Sequence, residues 1–349
     1  MSNEMSASKN ILLTGGTGYI GSHTAAELAS RNYNVVLFDN LQNSSADVVD
    51  NIELISGRKC EFVHGDIRDT KLLAEVLAKY NIDSVIHFAG LKAVADSIED
   101  PLAYYSTNVL GTLSLVEAMV QQSVFKLVFS SSATVYGVPK SLPIDEGHPT
   151  EPINPYGRSK LHIEEILLDL AMSSKDWSVV CLRYFNPAGA HESGLLGERP
   201  TSRPNNLMPV ISEVALGRRV KLNVYGTDYD TLDGTGVRDF IHVMDLAEGH
   251  RTALDFLENH KGYEVFNLGT GEGYSVLEMV QAYKAASGRA IPLELTERRP
   301  GDVAVCYAEA SKAKQLLRWE SSRSLNDMCR TSWNFVQLMS NRGNASAKT

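Results

Sequence analysis

The chain has 349 residues, 43% hydrophobic and 21% charged, and its 33 lysines and arginines against 42 aspartates and glutamates leave a net charge of −9 at pH 7. That composition excludes a disordered chain, a collagen-like repeat and a disulfide-dense secreted module, and the length suits one large domain or two unequal ones. A net acidic chain is also a poor partner for nucleic acid or anionic membranes, which bind through clustered cations.

From the N-terminus, MSNEMSASKN is polar and lacks the apolar stretch of a secretion signal. No apolar run in the chain reaches the roughly 18 residues of a membrane span. Cys60, Cys181, Cys306 and Cys329 lie far apart in the sequence. They read as reduced thiols of a cytoplasmic protein, and no metal site is expected from them or from the scattered histidines.

The first half alternates short β-branched runs with helical patterns. Ile11–Thr14, Val35–Phe38, Glu61–Val63, Val85–Phe88, Leu127–Phe129 and Val179–Leu182 are predicted strands, apolar on both faces. Between them, Lys71–Lys79 places Leu72, Leu73, Val76 and Leu77 on one helical face. This alternation predicts an α/β fold, a doubly wound, Rossmann-like parallel sheet with helices on both sides. Beyond residue 186 the texture changes, and residues 187–236 hold four of the twelve prolines. A strand at Lys221–Tyr225 and helices near Val243–Leu257, Leu277–Ala286 and Ser324–Val336 follow. The expected organisation is a nucleotide-binding domain over 9–186, a smaller α/β substrate lobe over 187–340, partly interleaved with the first, and a frayed tail at 341–349.

The sharpest local signal is the run Thr14-Gly15-Gly16-Thr17-Gly18-Tyr19-Ile20-Gly21, which follows the first strand and opens a helix at Ser22–Ser30. Gly15, Gly18 and Gly21 allow a tight turn, close approach of backbone to a pyrophosphate, and helix-on-strand packing. Free N–H groups at the helix start favour a phosphate. Asp39 ends the second strand, 18 residues after Gly21, where a carboxylate accepts from ribose hydroxyls. It would repel the extra phosphate of NADP, and no Arg or Lys follows in residues 40–47, so NAD is the expected cofactor. A structural turn alone would leave the same glycines.

Asn154-Pro155-Tyr156-Gly157-Arg158-Ser159-Lys160 begins a further helix, with Asn154 as its cap and Pro155 in its first turn. Tyr156 and Lys160 are then one turn apart on one face. An ammonium and a helix start both favour a phenolate, and moving a tyrosine pKa from about 10 to neutrality needs about 4 kcal/mol. Such an oxygen takes a proton from a sugar hydroxyl. The pairing is common on solvated helices, but a serine run at Ser130, Ser131 and Ser132 ends a strand 24 residues upstream of Tyr156. A serine there can bond the hydroxyl that Tyr156 deprotonates, although a turn cluster would look the same.

At this point the motifs match a family. TGGTGYIG, DNLQNS, GDI, HFAGLKAV, SSSATVYG, NPYGRSK, LRYFNPAGAH, PNNLMP, GTGVRDFIHVMDLA and RRPGD occur in this order. The chain resembles the UDP-glucose 4-epimerase (UDP-galactose 4-epimerase) family of the extended short-chain dehydrogenase/reductase superfamily over nearly its whole length. The resemblance implies Tyr156 as acid/base, Ser132 as its hydroxyl-binding partner and Lys160 as the ribose-binding cation. It implies that Tyr19, Ile20, Asp39, Asn40, Leu41, Gln42, Asn43, Ser44, Asp66, Ile67, Phe88, Ala89, Gly90, Leu91, Lys92, Asn108 and Phe185 line NAD. Thr107 departs from the pattern, since some relatives carry Asn there. The UDP part would lie on Asn186, Asn206, Leu207, Asn223, Tyr225, Arg238, Arg299 and Asp302, and arginine forks independently suit a diphosphate.

The implied reaction oxidises the hexose at carbon 4, turns the 4-keto sugar over and reduces it from its other face. Cys306 matches a position lining the hexose pocket. A thiol in place of a larger side chain there implies room for N-acetylated sugars, while ordinary buried packing is the plainer reading. Two rivals are a sugar-nucleotide 4,6-dehydratase and a dinucleotide-binding sensor without catalysis. Ala133 and Thr134 after Ser132 lack the carboxyl pair of the first, and the retained Ser132, Tyr156 and Lys160 argue against the second. The helix of Tyr156 and a helix over Pro101–Gln121 resemble a pair that forms a homodimer contact, although their apolar residues could face the parent sheet.

Overall fold

The computed structural model describes residues 8–200, 204, 206–299 and 301–346. Asn205 and Pro300, within two of the motifs above, lie outside the described residues, as does the end of the expected tail. Strands that bury both faces belong in the middle of a covered parallel sheet, and the apolar runs of the first half do so. β1 (Asn10–Thr14), β2 (Asn34–Asp39), β3 (Glu61–His64), β4 (Ser84–His87), β5 (Lys126–Ser132) and β6 (Ser178–Tyr184) form one sheet. A seventh strand, Gly262–Leu268, completes it beside β6. The order is β3-β2-β1-β4-β5-β6 followed by Gly262–Leu268, parallel throughout. The winding direction reverses between β1 and β4, where such sheets open a crevice at their carboxyl edge.

Two apolar layers cover the sheet. One packs α1 (Tyr19–Ser30) and the helix Val243–Leu257 against Ile11, Leu13, Val180 and Leu182. The other sets the helices Thr70–Lys79, Gly111–Gln121 and Pro155–Ser173 against Leu12, Val36, Leu127 and Val179. A separate core forms from Met208, Ile211, Met279, Tyr283, Met328 and Trp333, which joins the helices Leu207–Ala215, Val276–Ser287 and Leu325–Ser346. A small cluster of Val135, Tyr136, Ile144, Phe185 and Ala308, with Ala133 and Cys306 against it, lies next to the end of β5.

Several expectations need correction. Phe88 starts a loop, because β4 ends at His87, and β5 runs on to Ser132. The strand Gly262–Leu268 was not foreseen; its first four residues are only half-buried, as an edge strand's are, and Glu264 and Asn267 break its apolar run. The expected helix Pro101–Gln121 is interrupted by a π-helical turn at Tyr105–Leu110. The final helix passes Val336 and reaches Ser346. No helix of the described residues is long and apolar enough to cross a membrane.

One buried network joins the Tyr156 helix to the sheet. Glu164, one turn beyond Lys160, accepts from Arg183 Nε of β6 at 3.0 and 3.1 Å and from the Ser131 hydroxyl of β5. Arg183 also donates to the Tyr136 hydroxyl at 3.2 Å, and Tyr136 donates to Asn267 at 2.6 Å. The two charged side chains are 8% and 3% exposed, so removing one leaves the other unpaired in a dry interior. Glu164→Gln is expected to lower stability by about 3–5 kcal/mol in denaturant unfolding at neutral pH. A loss below about 1 kcal/mol, the scale of an exposed pair, would contradict this role.

Candidate active site

The glycine run forms a tight cradle at the crevice. Gly15 has φ +69°, and a Cβ on it would fall 2.6 Å from the Ala89 nitrogen. A Cβ on Gly21 would meet the Gly15 carbonyl oxygen at 2.3 Å. Neither obstacle is a movable side-chain tip, so both positions require glycine. Gly18 is the cap of α1 and offers no side chain to the N–H groups of the first turn, which leaves them for an anion. Asp39 is nearly buried and accepts from Leu41 N at 2.9 Å, Thr17 N at 3.2 Å and the Ser44 hydroxyl at 3.3 Å. The loop Asn40–Ser44 is thereby folded beside the cradle, with Leu41 at φ +58° and Gln42 and Asn43 exposed. Arg68 holds the Asp66 carboxylate at 2.7 and 2.8 Å and lowers it to about 2, and nearby Asn40 adds to that fall. Ile67 is buried next to it.

Phe88 to Lys92 form the facing wall. Asn108, placed by the π-helical turn, accepts from Leu91 N at 2.8 Å and donates to Leu91 O at 3.1 Å and to the Ser159 hydroxyl at 3.0 Å. Its buried amide thus ties this wall to the Tyr156 helix, and a Cβ on Gly90 would press on it at 3.0 Å. Lys92 extends to Glu198 at 3.0 Å, and the same carboxylate oxygen accepts from Asn206 at 2.6 Å. Tyr19 donates to the Gly189 carbonyl at 2.6 Å. Phe185 is buried at the end of β6.

The helix Pro155–Ser173 begins as its sequence demands. Asn154 is extended, its side chain accepts from Gly157 N at 2.8 Å, and Pro155 occupies the first turn. That start aims Tyr156 at the end of β5, where the Ser132 hydroxyl is near enough to pull the phenol pKa down against its burial. Ser132 in turn accepts from Thr134 N at 3.2 Å and the Thr134 hydroxyl at 3.0 Å. Lys160 is buried, donates to the Ser130 carbonyl at 2.7 Å and stands 6.0 Å from the Tyr156 ring centre. The Tyr104 ring meets Tyr156 edge-on at 6.4 Å. Among the described residues no carboxylate bonds Ser132 or Tyr156.

The electrostatics correct one expectation. Burial raises the Tyr156 phenol above its ordinary value, and only the Ser132 hydrogen bond opposes it. Burial also lowers Lys160 to about 8, with Glu164 acting against that fall. The lysine's ammonium gives one of its donors to the Ser130 carbonyl and is itself buried, so desolvation outweighs its attraction for a phenolate. His87 is pushed down to about 3 by burial and stays neutral between Thr14 at 2.6 Å and Thr112 at 2.9 Å.

Across the crevice, Tyr225 and Asn223 share the exposed face of the strand Leu222–Tyr225. The Arg299 guanidinium lies 4.7 Å over the Tyr225 ring and donates to Asp302 at 3.1 Å. Arg238 is 4.0 Å from the same carboxylate and pairs in register with Cys306. The structure therefore gathers Tyr225, Arg238, Arg299, Asp302 and Cys306, whereas Asn206 joins Lys92 through Glu198. Asn186 is exposed on a short strand beside Phe240–His242, and Leu207 opens a helix. Asn108's tie to Ser159, the Glu164–Arg183 pair and Asp239 were all missed. The only available signal was polar residues at helix spacing from Tyr156, or inside apolar runs.

A reversed-order parallel sheet, a glycine cradle and a Ser–Tyr–Lys set at the carboxyl edge define the class of short-chain dehydrogenases/reductases. The family model described as GDP-mannose 4,6 dehydratase matches residues 12–332. The chain is 53% identical over 323 residues to the UDP-glucose 4-epimerase of Bacillus subtilis, covering 93% of this chain and 95% of that one. The epimerase structure from Stenotrophomonas maltophila with bound NAD and formylated UDP-arabinopyranose superposes with a TM-score of 0.94 at 47% identity, over 96% of this chain and 99% of that one. That from Bifidobacterium longum in complex with NAD+ and UDP gives 0.92 at 50%, over 95% and 99%. The chain belongs to this family and, within it, groups with the UDP-glucose 4-epimerases.

In protein stripped of nucleotides, Tyr156 is expected to titrate above its usual value of about 10. Phenolate absorbance of the wild type minus that of Tyr156→Phe would read this directly, and a step near neutral pH would contradict it.

Proposed function

We propose that the chain interconverts UDP-galactose and UDP-glucose at carbon 4, through a 4-keto sugar and without net consumption of NAD. The observation that carries this reading is the Tyr156–Ser132 pair at the end of β5, where the next residue, Ala133, packs on the same small cluster as Cys306, the register partner of Arg238. The cradle supports a dinucleotide, since Gly15 and Gly21 let backbone close tightly on backbone and Gly18 leaves the first-turn N–H groups of α1 without a side-chain cap. NAD, when bound, supplies the ring that takes and returns a hydride and adds positive charge that favours a phenolate.

The rest belongs to the chain. Asp39 presents its carboxylate to ribose hydroxyls, the first turn of α1 faces the pyrophosphate, and Lys160 holds the nicotinamide ribose. Ser132 orients the sugar 4-hydroxyl, and the Tyr156 oxygen takes its proton and later gives it back. Arg238 and Arg299 grip the diphosphate, while Tyr225, Asn206, Leu207, Asn223, Asn186 and Asp302 surround the nucleoside. Firm hold on UDP with little on the hexose leaves the keto sugar free to present either face. The absence of a carboxylate at Ser132 among the described residues supports epimerisation over dehydration.

The same reading includes a second substrate class. Cys306 is half-buried against the cluster of Phe185 and Ala308, and a thiol is smaller than an aromatic ring, which supports use of UDP-N-acetylglucosamine and UDP-N-acetylgalactosamine. We also read the chain as a cytoplasmic homodimer. Ile98, Leu102, Leu113, Leu168 and Met172 are exposed on helices beside Tyr156, which supports a helical contact between copies. Its four cysteines are free, which suits a reducing compartment. The division into 9–186 and 187–340 stays part of this reading, with the strand Gly262–Leu268 as the interleaved piece.

One assay tests the reaction and its range. Wild-type protein is expected to convert UDP-galactose to UDP-glucose without added reductant, and to act on UDP-N-acetylgalactosamine. Tyr156→Phe should bind both ligands yet lose roughly 10²–10⁴-fold in turnover, the scale of general acid–base catalysis. Cys306→Tyr should keep UDP-galactose and lose the N-acetylated sugar. Near-normal turnover by Tyr156→Phe would remove its role, and wild type inert toward the N-acetylated sugar would limit the range to plain hexoses.

A further inference from the structure

We infer that Asp239 is a positioning residue of the substrate wall, its backbone and carboxylate fixing the three segments that carry Asn186, Arg238 and Cys306. The inference rests on the epimerase reading above. Asp239 lies between the short strands Val237–Arg238 and Phe240–His242 and is fully buried. Its carbonyl accepts from Asn186 N at 3.0 Å, and its own N–H donates to Cys306 O at 3.0 Å. One backbone unit therefore spans the segments of both candidate substrate residues, next to Arg238.

The carboxylate extends the same tie. Oδ1 accepts from Thr270 N at 2.9 Å and the Thr270 hydroxyl at 2.7 Å. Oδ2 accepts from Gly271 N at 3.0 Å and Ala308 N at 3.1 Å. Gly269 has no space for a side chain, since a Cβ would fall 2.5 Å from both Asp239 Oδ2 and Ala308 Cβ. Every partner is a donor, which suits an ionised carboxylate. Among the described residues no cation lies within ion-pair distance of it, so backbone and hydroxyl dipoles alone offset its burial.

An apolar residue would fill this volume at lower desolvation cost. Only an acceptor with two oxygens gathers loop 269–271 and the segment 305–308 on one point. Because Arg238 is the preceding residue and Cys306 its register partner, a shift at Asp239 moves the diphosphate grip and the hexose wall together. None of its bonds reaches the glycine cradle, the wall Phe88–Lys92 or the Tyr156 helix. Loss of the carboxylate should therefore weaken substrate binding and leave the chemistry and the cofactor alone.

Steady-state kinetics on the holoenzyme separates these effects. Asp239→Asn turns an acceptor into a donor facing N–H groups, and the KM for UDP-galactose should rise about tenfold or more with kcat within about twofold. NAD content should match the wild type, and the preference between UDP-galactose and UDP-N-acetylgalactosamine should change. Thr270→Val removes one donor and should raise KM by about threefold, and Thr270→Ser should restore it. Should Asp239→Asn fail to fold, the Thr270 pair decides alone. Unchanged KM in the folded variants, or kcat and NAD content falling in step with KM, overturns the inference while a wild type active on UDP-galactose leaves the epimerase reading standing. A wild type inert toward UDP-galactose sinks both.

Discussion

The bond from Lys160 to the Ser130 carbonyl is the constraint around which the site is organised. It anchors a buried ammonium, fastens the helix Pro155–Ser173 to the end of β5, and so fixes where Tyr156 meets Ser132. Burying two ionisable groups together is costly, and both respond in the direction that neutralises them. The protein opposes this on the lysine side, where Glu164 follows one turn later on the same face. Glu164 is itself held by Arg183 and Ser131, so strands β5 and β6 and the helix share one charged network. On the tyrosine side only the Ser132 hydrogen bond helps, which leaves the phenol dependent on positive charge brought by the bound cofactor.

The crevice is held from two sides by different means. The side proposed for the cofactor is backbone: glycines without room for a Cβ, a helix start, and loops pinned by Asp39 and Asn108. The proposed substrate side is side chains on short strands and the loop after Thr296, where Arg238, Arg299 and Asp302 converge, with Asp239 tying the segments of Asn186, Arg238 and Cys306. Fixed backbone suits a ligand that stays in place, and converging flexible side chains suit one that must enter and leave. The exposed rim around Arg299 and Tyr225 contrasts with the nearly sealed Ser132.

Much of this was legible in the sequence because the relevant physics is local. Two-sided apolar runs marked β1 to β6, the glycines marked the cradle, and Asn154-Pro155 marked the start of the Tyr156 helix. The strand Gly262–Leu268 was hidden because an edge strand tolerates Glu264 and Asn267. The π-helical turn that places Asn108 leaves no pattern in Tyr105–Leu110. The direction of the Tyr156 shift differs for a related reason: spacing reveals that Lys160 is near, but the burial of the phenol beside Ser132 and Tyr104 forms only in the fold. Asp239 stands in the run GTGVRDFIHVMDLA with nothing local to mark its role, since its partners at Thr270 and Ala308 come together only in the fold.

The central claim is that the hydrogen on carbon 4 leaves and returns within one closed site while the Tyr156 oxygen handles the proton. UDP-galactose deuterated at carbon 4, converted in ordinary water, tests it most directly. Full retention of deuterium on carbon 4 of the UDP-glucose formed is the expected result. Washout of the label into solvent would contradict it, because an exchangeable hydrogen at that carbon means proton chemistry in place of a hydride taken up and given back.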